Sequence, residues 1–142
     1  MPGIDECLLE AMTVNGARGA ALIEWTSGLA LGMIGEVRDD DPEATAAETA
    51  ELARMAAEQT AFAAVKPSHG GAADASDADD ADGAPPVEDV IVTTRTCYHL
   101  LRFLDTAFDG GVFFYLWLDR REGNLALARL RLRDISQRLA LI

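Results

Sequence analysis

The sequence predicts an α+β protein in which one antiparallel sheet is buried under helices. Segments with a helical spacing of apolar residues alternate with short runs of strand length, in the order helix, strand, strand, helix, three strands, helix. Turn sequences separate several of the neighbouring strands, as expected of antiparallel pairs. The 142 residues, of which 49% are hydrophobic, fit a single domain over residues 1–142.

The first helix and the first two strands are predicted in the N-terminal quarter. Residues 4–14 place apolar side chains at helical spacing, with acidic residues opposite, and the helix closes at Asn15-Gly16. Residues 19–25 and 29–35 are apolar runs of strand length around a short polar turn that contains Gly28. They predict a β-hairpin.

A second helix is predicted from about residue 42 to residue 65. Asp41 can cap its start, and Pro42 suits the first helical position because its missing N–H would have no partner there. Two stripes run along this helix, a small one (Ala46, Ala50, Ala53, Ala57, Ala64) and a bulky one with an a/d-like spacing (Leu52, Met55, Gln59, Phe62). Two adjacent stripes suit a helix that packs on its own sheet and also meets a partner helix. The plainer interpretation is that alanine simply has high helix propensity.

Residues 66–86 change to Gly, Ala, Ser, Asp and Pro, without a large apolar side chain. Such a segment cannot bury enough surface to offset its ordering entropy, so we expect a disordered acidic insert at about 67–86. Its aspartates only partly resemble a calcium loop, because Ala78 stands at the first ligand position and Pro85 and Pro86 interrupt the pattern.

The C-terminal half predicts three strands and a last helix. Residues 87–95, 97–104 and 112–118 are rich in β-branched and aromatic residues, and Asp109-Gly110-Gly111 is a turn sequence between the last two strands. Residues 124–141 repeat apolar side chains at helical spacing, with arginines mostly on the other face. A solvated face is the default for these arginines, although they could dock an acidic partner.

Composition excludes several classes of function. The formal net charge of −12 argues against nucleic acid, which selects clustered Lys and Arg. No apolar run approaches the length of about 20 residues that crosses a bilayer, and the N-terminus lacks the pattern of a signal peptide. We therefore expect a cytoplasmic protein without membrane insertion, in which Cys7 and Cys97 remain thiols.

The ordered series of segments resembles the roadblock/dynein light-chain family, in particular its bacterial members. AALIEWTSGLAL at 20–31 resembles the first hairpin, and EDVIVTT at 88–94 followed by YHLLR at 98–102 resembles the third and fourth strands. FFYLWLDR at 113–120 and NLALAR at 124–129 resemble the last strand and helix. The likeness covers nearly the whole chain apart from the insert.

The resemblance implies a sheet ordered 2-1-5-4-3, with the second helix on one face and the first and third on the other. It also implies a homodimer made by third strands pairing edge to edge and second helices packing side by side. A bacterial member commonly acts beside a Ras-like GTPase, which implies a role in signalling. The predicted dimer interface consists of Ala46, Ala50, Leu52, Ala53, Met55, Gln59, Phe62, Val90 and Val92.

Catalytic and cofactor chemistry has no visible framework in the sequence. There is no Walker-type loop, and the only lysine, Lys66, precedes a proline. Cys97 and His99 share a strand face, but two ligands do not hold a structural metal that wants four. We therefore predict no catalytic, cofactor-binding or metal residues and no enzyme activity.

Two functional hypotheses remain. The first is a non-catalytic dimeric scaffold that regulates or positions a Ras-like GTPase. The alternative is a small-molecule sensory domain of related layered architecture, which would need a wide apolar cavity with a few convergent polar groups. Four aromatic residues could suggest a ligand cage, but core packing is the simpler role for them: Trp25, Phe113, Tyr115 and Trp117.

Overall fold

The computed structural model describes residues 3–37, 40–63, 86–104 and 111–140. Its helices and strands are α1 (Ile4–Ala11), β1 (Ala17–Glu24), β2 (Leu29–Gly35), α2 (Pro42–Glu58), β3 (Asp89–Thr93), β4 (Cys97–Phe103), β5 (Val112–Asp119) and α3 (Leu125–Ala140). A 3₁₀ turn, Thr60–Phe62, follows α2. The predicted order of elements and the α+β class are confirmed.

The five strands form one antiparallel sheet in the order β2-β1-β5-β4-β3. This is the order that the family resemblance implied. β5 lies at the centre, and its burial is nearly continuous from Val112 to Leu118, as expected for a strand covered on both faces. β2 and β3 are the two edges.

Helices cover both faces of the sheet, and the core therefore has two halves. On one face α1 and α3 pack over Leu22, Phe114 and Leu116. On the other face the alanines of α2 pack over Ile23 and Phe113. The alternation of side chains along each strand separates these two halves. The implied placement of the helices, α2 opposite α1 and α3, is confirmed.

Two helix ends differ from the sequence prediction. α1 ends at Ala11, and Thr13 and Val14 instead donate three-residue turn bonds to Glu10 and Ala11. α2 ends at Glu58, because Gln59 is extended with φ −77° and ψ 134°. The fully buried residues of α2 stop at Ala53, and a helix that loses its packing face has little to stabilise further turns.

Some predicted features lie outside the described residues. They are the end of the second helix at 64–65, nearly all of the acidic insert, and most of the turn between β4 and β5. The disorder predicted for the insert therefore stays a prediction. Within the part of the chain that is described, no helix is long and apolar enough to cross a membrane.

Candidate interaction surface

The start of α2 is fixed by a side-chain cap. Asp41 accepts a hydrogen bond at 3.0 Å from the backbone N–H of Ala44 through Oδ1, and Pro42 occupies the first helical position. These two residues satisfy or remove N–H groups that would otherwise lack partners. From this capped end the helix runs across the sheet, and alanine side chains form the contact between them.

The small stripe of α2 faces the protomer's own sheet. Ala46, Ala50 and Ala53 are each at most 2% exposed and belong to the core beneath the helix. Because alanine side chains are short, the helix lies close to the strands. These three predicted interface residues are already buried in one protomer, where they hold α2 on its own sheet, and their place in a dimer interface stays a prediction.

The bulky stripe of α2 is divided between core and surface. Leu52 is half-buried against the core, whereas Met55 is 55% exposed and Phe62 is 54% exposed. Gln59 is exposed and follows the last residue of α2, and Phe62 lies in the 3₁₀ turn and not on α2 itself. The structure therefore leaves two large apolar side chains at the C-terminal end of this helix in solvent.

β3 is an edge with regular geometry. Its five residues pair with β4 without a register shift, from Asp89 opposite Arg102 to Thr93 opposite Tyr98. Val90 and Val92 are half-buried, and Val90 packs on the α2 side of the sheet.

The hydrogen bonds at the two ends of β3 show which backbone groups point outward. Phe103 N donates to Glu88 O, and Thr94 N donates to Cys97 O. In an antiparallel pair such bonds alternate along the strand, so Asp89, Ile91 and Thr93 direct their N–H and C=O groups away from β4. These groups form a template for another strand.

Between β1, β4 and β5 lies an ordered row of rings. Trp117 is parallel to His99 within 14°, with centroids 6.0 Å apart, and the Arg18 guanidinium lies 4.4 Å from the Trp117 ring. His99 Nδ1 lies 2.7 Å from the Tyr115 hydroxyl. Burial raises the pKa of Tyr115, so this hydroxyl stays protonated. The predicted core role of Phe113, Tyr115 and Trp117 is confirmed by their burial, while Trp25 is half-buried against Phe103.

Arg18 joins this row to the end of β2. Its Nε and Nη2 atoms donate to the two carboxylate oxygens of Glu36 at 3.2 and 3.1 Å, and Nη1 lies 3.5 Å from the Cys97 sulfur. The hydrogen bond from Arg18 lowers the pKa of Glu36. Burial raises the pKa of Cys97, but hydrogen bonds to its sulfur, from Thr96 and Arg18, oppose the effect of burial, and that pKa lies below its ordinary value. Every charged atom of Arg18 and Glu36 therefore has a partner, which is typical of a structural contact. We call Arg18, Glu36 and Cys97 the clasp.

A cavity of about 470 Å³ lies between the N-terminal half of α2 and the sheet. Its walls include Met33, Thr45, Glu48, Tyr115 and Trp117. The volume falls in the range of small-molecule sites. Within the described residues no three metal-ligating side chains are grouped together, and Cys97 and His99 have the other contacts given above.

Comparison with known proteins gives a clear result only at the level of structure. No family model matches the sequence, and no curated protein matches it. Among solved structures, a Roadblock/LC7 domain from Streptomyces avermitilis is similar with a TM-score of 0.64 at 14% identity, covering 96% of this chain and 93% of that one. MglB from Myxococcus xanthus gives 0.61 at 15% identity, covering 94% and 79%. An MglB structure with a tetrameric arrangement gives 0.62 at 17%, covering 99% and 90%. The chain has the roadblock fold.

Proposed function

We propose that this protein is a non-catalytic homodimeric interaction module in which β3 pairs with β3 of a second copy. The observation that carries the proposal is the regular, outward-facing backbone of β3. A pair of such strands would continue the sheet across a two-fold axis, and each protomer would satisfy the other's outward donors and acceptors.

The side chains on the α2 face of the sheet support the same arrangement. Leu52, Met55, Gln59 and Phe62, together with Val90 and Val92, are half-buried or exposed on the α2 side of the molecule. We define these six residues as the α2–β3 surface. Burying its exposed apolar atoms in a dimer would contribute at about 25 cal/mol per Å², in addition to the strand hydrogen bonds.

For the partner we propose a Ras-like small GTPase in a bacterial cytoplasmic signalling system. The support is the roadblock fold together with the family resemblance of the sequence. The dimer would scaffold the GTPase, or would hold the GTPase's own catalytic groups in their productive arrangement. Positioning of this kind needs a rigid surface and no catalytic residue from this chain.

One observation favours the small-molecule alternative. The 470 Å³ cavity beside α2 joins apolar walls to the hydroxyls of Thr45 and Tyr115 and the carboxylate of Glu48, which is the combination a ligand site requires. Native mass spectrometry of the purified protein tests this alternative directly. A retained metabolite that blocks the cavity would favour a sensor, and a mass equal to that of the bare chain would favour the scaffold.

The dimer is tested by light scattering over a dilution series. We expect the wild type to have twice the mass of one chain, and the variant with Met55→Glu and Phe62→Glu to shift toward one chain, because two charges per protomer would enter the interface. Leu29→Glu is the matched control, since Leu29 is 65% exposed but lies on β2. A monomeric wild type, or a control that dissociates as readily as the double variant, would contradict the proposal.

The GTPase is tested with purified Ras-like GTPases from the same genome, each loaded with GDP or a non-hydrolysable GTP analogue. We expect one of them to bind the wild-type dimer in a nucleotide-dependent way by biolayer interferometry. Absence of binding by every GTPase in both states would remove this partner while leaving the dimer result intact.

A further inference from the structure

The last helix, α3, has two flanks with different surroundings. On the β3 side, residues 126, 129, 130 and 133 share one helical stripe and border a groove of about 320 Å³. On the α1 side, Leu127 and Arg131 face Thr13 and Asn15 across a smaller space of about 130 Å³. Leu130 and Leu127 are exposed to a similar degree, 54% and 52%, so the chain supplies an internal comparison.

The groove lies where the helix layer approaches the β3 edge of the sheet. On this face α1 packs mainly on β1 and β2, and α3 packs mainly on β4 and β5 and reaches the start of β3 through the Arg129–Asp89 pair. Ile91 lies on β3 on this same face of the sheet, next to the groove, and is only partly buried. The groove itself is lined by Glu88, Asp89 and Arg102 on the strand side and by α3 on the other side.

The wall is basic in a chain that is strongly acidic. Arg129 pairs with Asp89 at 3.0 Å, and Arg102 approaches Asp89 at 3.9 Å and Glu88 at 3.6 Å. Arg133 is exposed and has no ion pair among the described residues. Three arginines thus face two carboxylates, and the groove carries a positive excess although the net charge of the chain is −12.

We propose that, in the β3-paired dimer, the two copies of this groove join into one trough that binds a single amphipathic helix with acidic flanks. The inference rests on the proposed dimer. Four strand spacings separate the two α3 helices across the joined edge, which is about 19 Å at about 4.8 Å per strand. Packed helices lie about 8–10 Å apart, so one helix fits between the two α3 helices and touches both.

Charge and symmetry define the occupant further. Its apolar stripe would lie on Ile91 and between the two Leu130 side chains, and its acidic residues would meet Arg133 of each copy. Because the trough lies on the two-fold axis, the second copy of the same helix would be excluded. The expected stoichiometry is one helix per dimer.

The test begins with an unbiased helical-peptide display library selected on the wild-type protein. We expect the enriched peptides to have one apolar stripe and net negative charge. A labelled enriched peptide is then titrated onto the wild type, onto a variant with Leu130→Glu and Arg133→Glu, and onto a control with Leu127→Glu and Arg131→Glu. The first variant should weaken binding about tenfold or more, as expected for an anchor residue, while the control should bind like the wild type.

Light scattering of the same samples separates failure of the trough from failure of the dimer. Saturation at one peptide per dimer supports the trough. If the protein is a dimer but the enriched peptides bind the control flank or carry positive charge, or if no peptide is enriched, the trough alone is overturned. A larger assembly that Leu130→Glu dissolves would mean that a second dimer occupies the trough and would overturn the proposed partner. A monomeric wild type overturns the dimer and the trough together.

Discussion

The sheet ends in two edge strands, β2 and β3, which differ in composition and in geometry. β2 has seven residues and no charge, and its Leu29 and Leu31 are largely exposed. β3 has five residues, begins with Asp89 and follows Glu88. By composition β2 is the edge expected to pair with another chain, because uncharged apolar edges are the ones that aggregate.

The backbone geometry instead makes β3 the edge that is better able to pair with another strand. In β2, Gly32 lies opposite Leu22 and Ala30 lies opposite Ile23, so Leu31 is an extra residue that forms a bulge. At the end of β2, Gly35 adopts φ +88° close to β1. A bulge bends and twists a strand, which disturbs the row of groups that an incoming strand would need. β3 keeps an even register over all five pairs.

The difference teaches that side-chain exposure and strand availability are separate properties of an edge. Strand pairing uses backbone groups, whose spacing the bulge in β2 interrupts, and natural sheets use bulges to protect their edges. The exposed leucines of β2 therefore do not make it the better interface. The three predictions below test this ranking, from the largest expected effect to the smallest.

The largest effect is expected at Ile91, whose N–H points away from β4. Ile91→Pro removes this donor without removing a β3–β4 hydrogen bond. Because the two-fold axis repeats the change, two hydrogen bonds of about 1–1.5 kcal/mol each would be lost, which corresponds to a dimer dissociation constant raised roughly 100-fold. Sedimentation equilibrium over a dilution series measures this constant.

Two controls separate the backbone effect from other causes. Ile91→Ala removes the side chain but keeps the N–H, and should weaken the dimer much less than the proline. Met33→Pro places proline on β2, and should leave the dimer unchanged as long as circular dichroism shows a folded protein. Equal weakening by Met33→Pro would reverse the ranking of the two edges.

A comparable effect, on folding and not on association, is expected at Gly35. A Cβ atom at this position would lie 2.5 Å from the carbonyl oxygen of Arg18, and φ +88° disfavours any side chain. Gly35→Ala should therefore lower the free energy of unfolding by about 2–3 kcal/mol. Urea denaturation measures it, with Gly3→Ala as the control because a Cβ there meets no atom within 4 Å. A tolerated Gly35→Ala would mean that the end of β2 is free to rearrange.

The sequence predicted both edge strands, but it did not predict which of them is available to pair with another strand. An apolar run after the turn at Gly28 identifies β2, a run of β-branched residues identifies β3, and the start of α2 follows from Asp41-Pro42. The bulge at Leu31 has no such signature, since it arises from the register with β1 and that register is a property of the whole sheet. The family resemblance supplied the strand order, which single strands do not encode.

The candidate interaction surface was predicted only in part, because contacts between elements depend on the whole sheet and not on local sequence. The periodicity of α2 predicted both stripes of side chains. It could not predict that Ala46, Ala50 and Ala53 are buried in the protomer's own core. The groove beside α3 was missed altogether. It depends on Leu130 and Arg133 of α3 and on Asp89, which is more than forty residues before them in sequence and meets them only after β3 is placed at the edge.

The smallest effect is a pH dependence at the clasp that ties the end of β2 to β1. The hydrogen bond from Arg18 holds the pKa of Glu36 below its ordinary value of 4.5. The unfolded chain therefore binds this proton before the folded chain as the pH falls, so the stabilisation is present above pH 4.5 and is lost as the pH drops through the lowered folded-state pKa.

Glu36→Gln should reduce stability slightly at neutral pH and should become equal to the wild type in strong acid, when urea midpoints are compared across the pH range. Glu51→Gln, at an exposed residue of α2, is the control for the loss of one surface carboxylate. A wild-type advantage over Glu36→Gln that persists unchanged below the lowered pKa would show that packing by the Glu36 side chain, and not its charge, fixes the end of this edge.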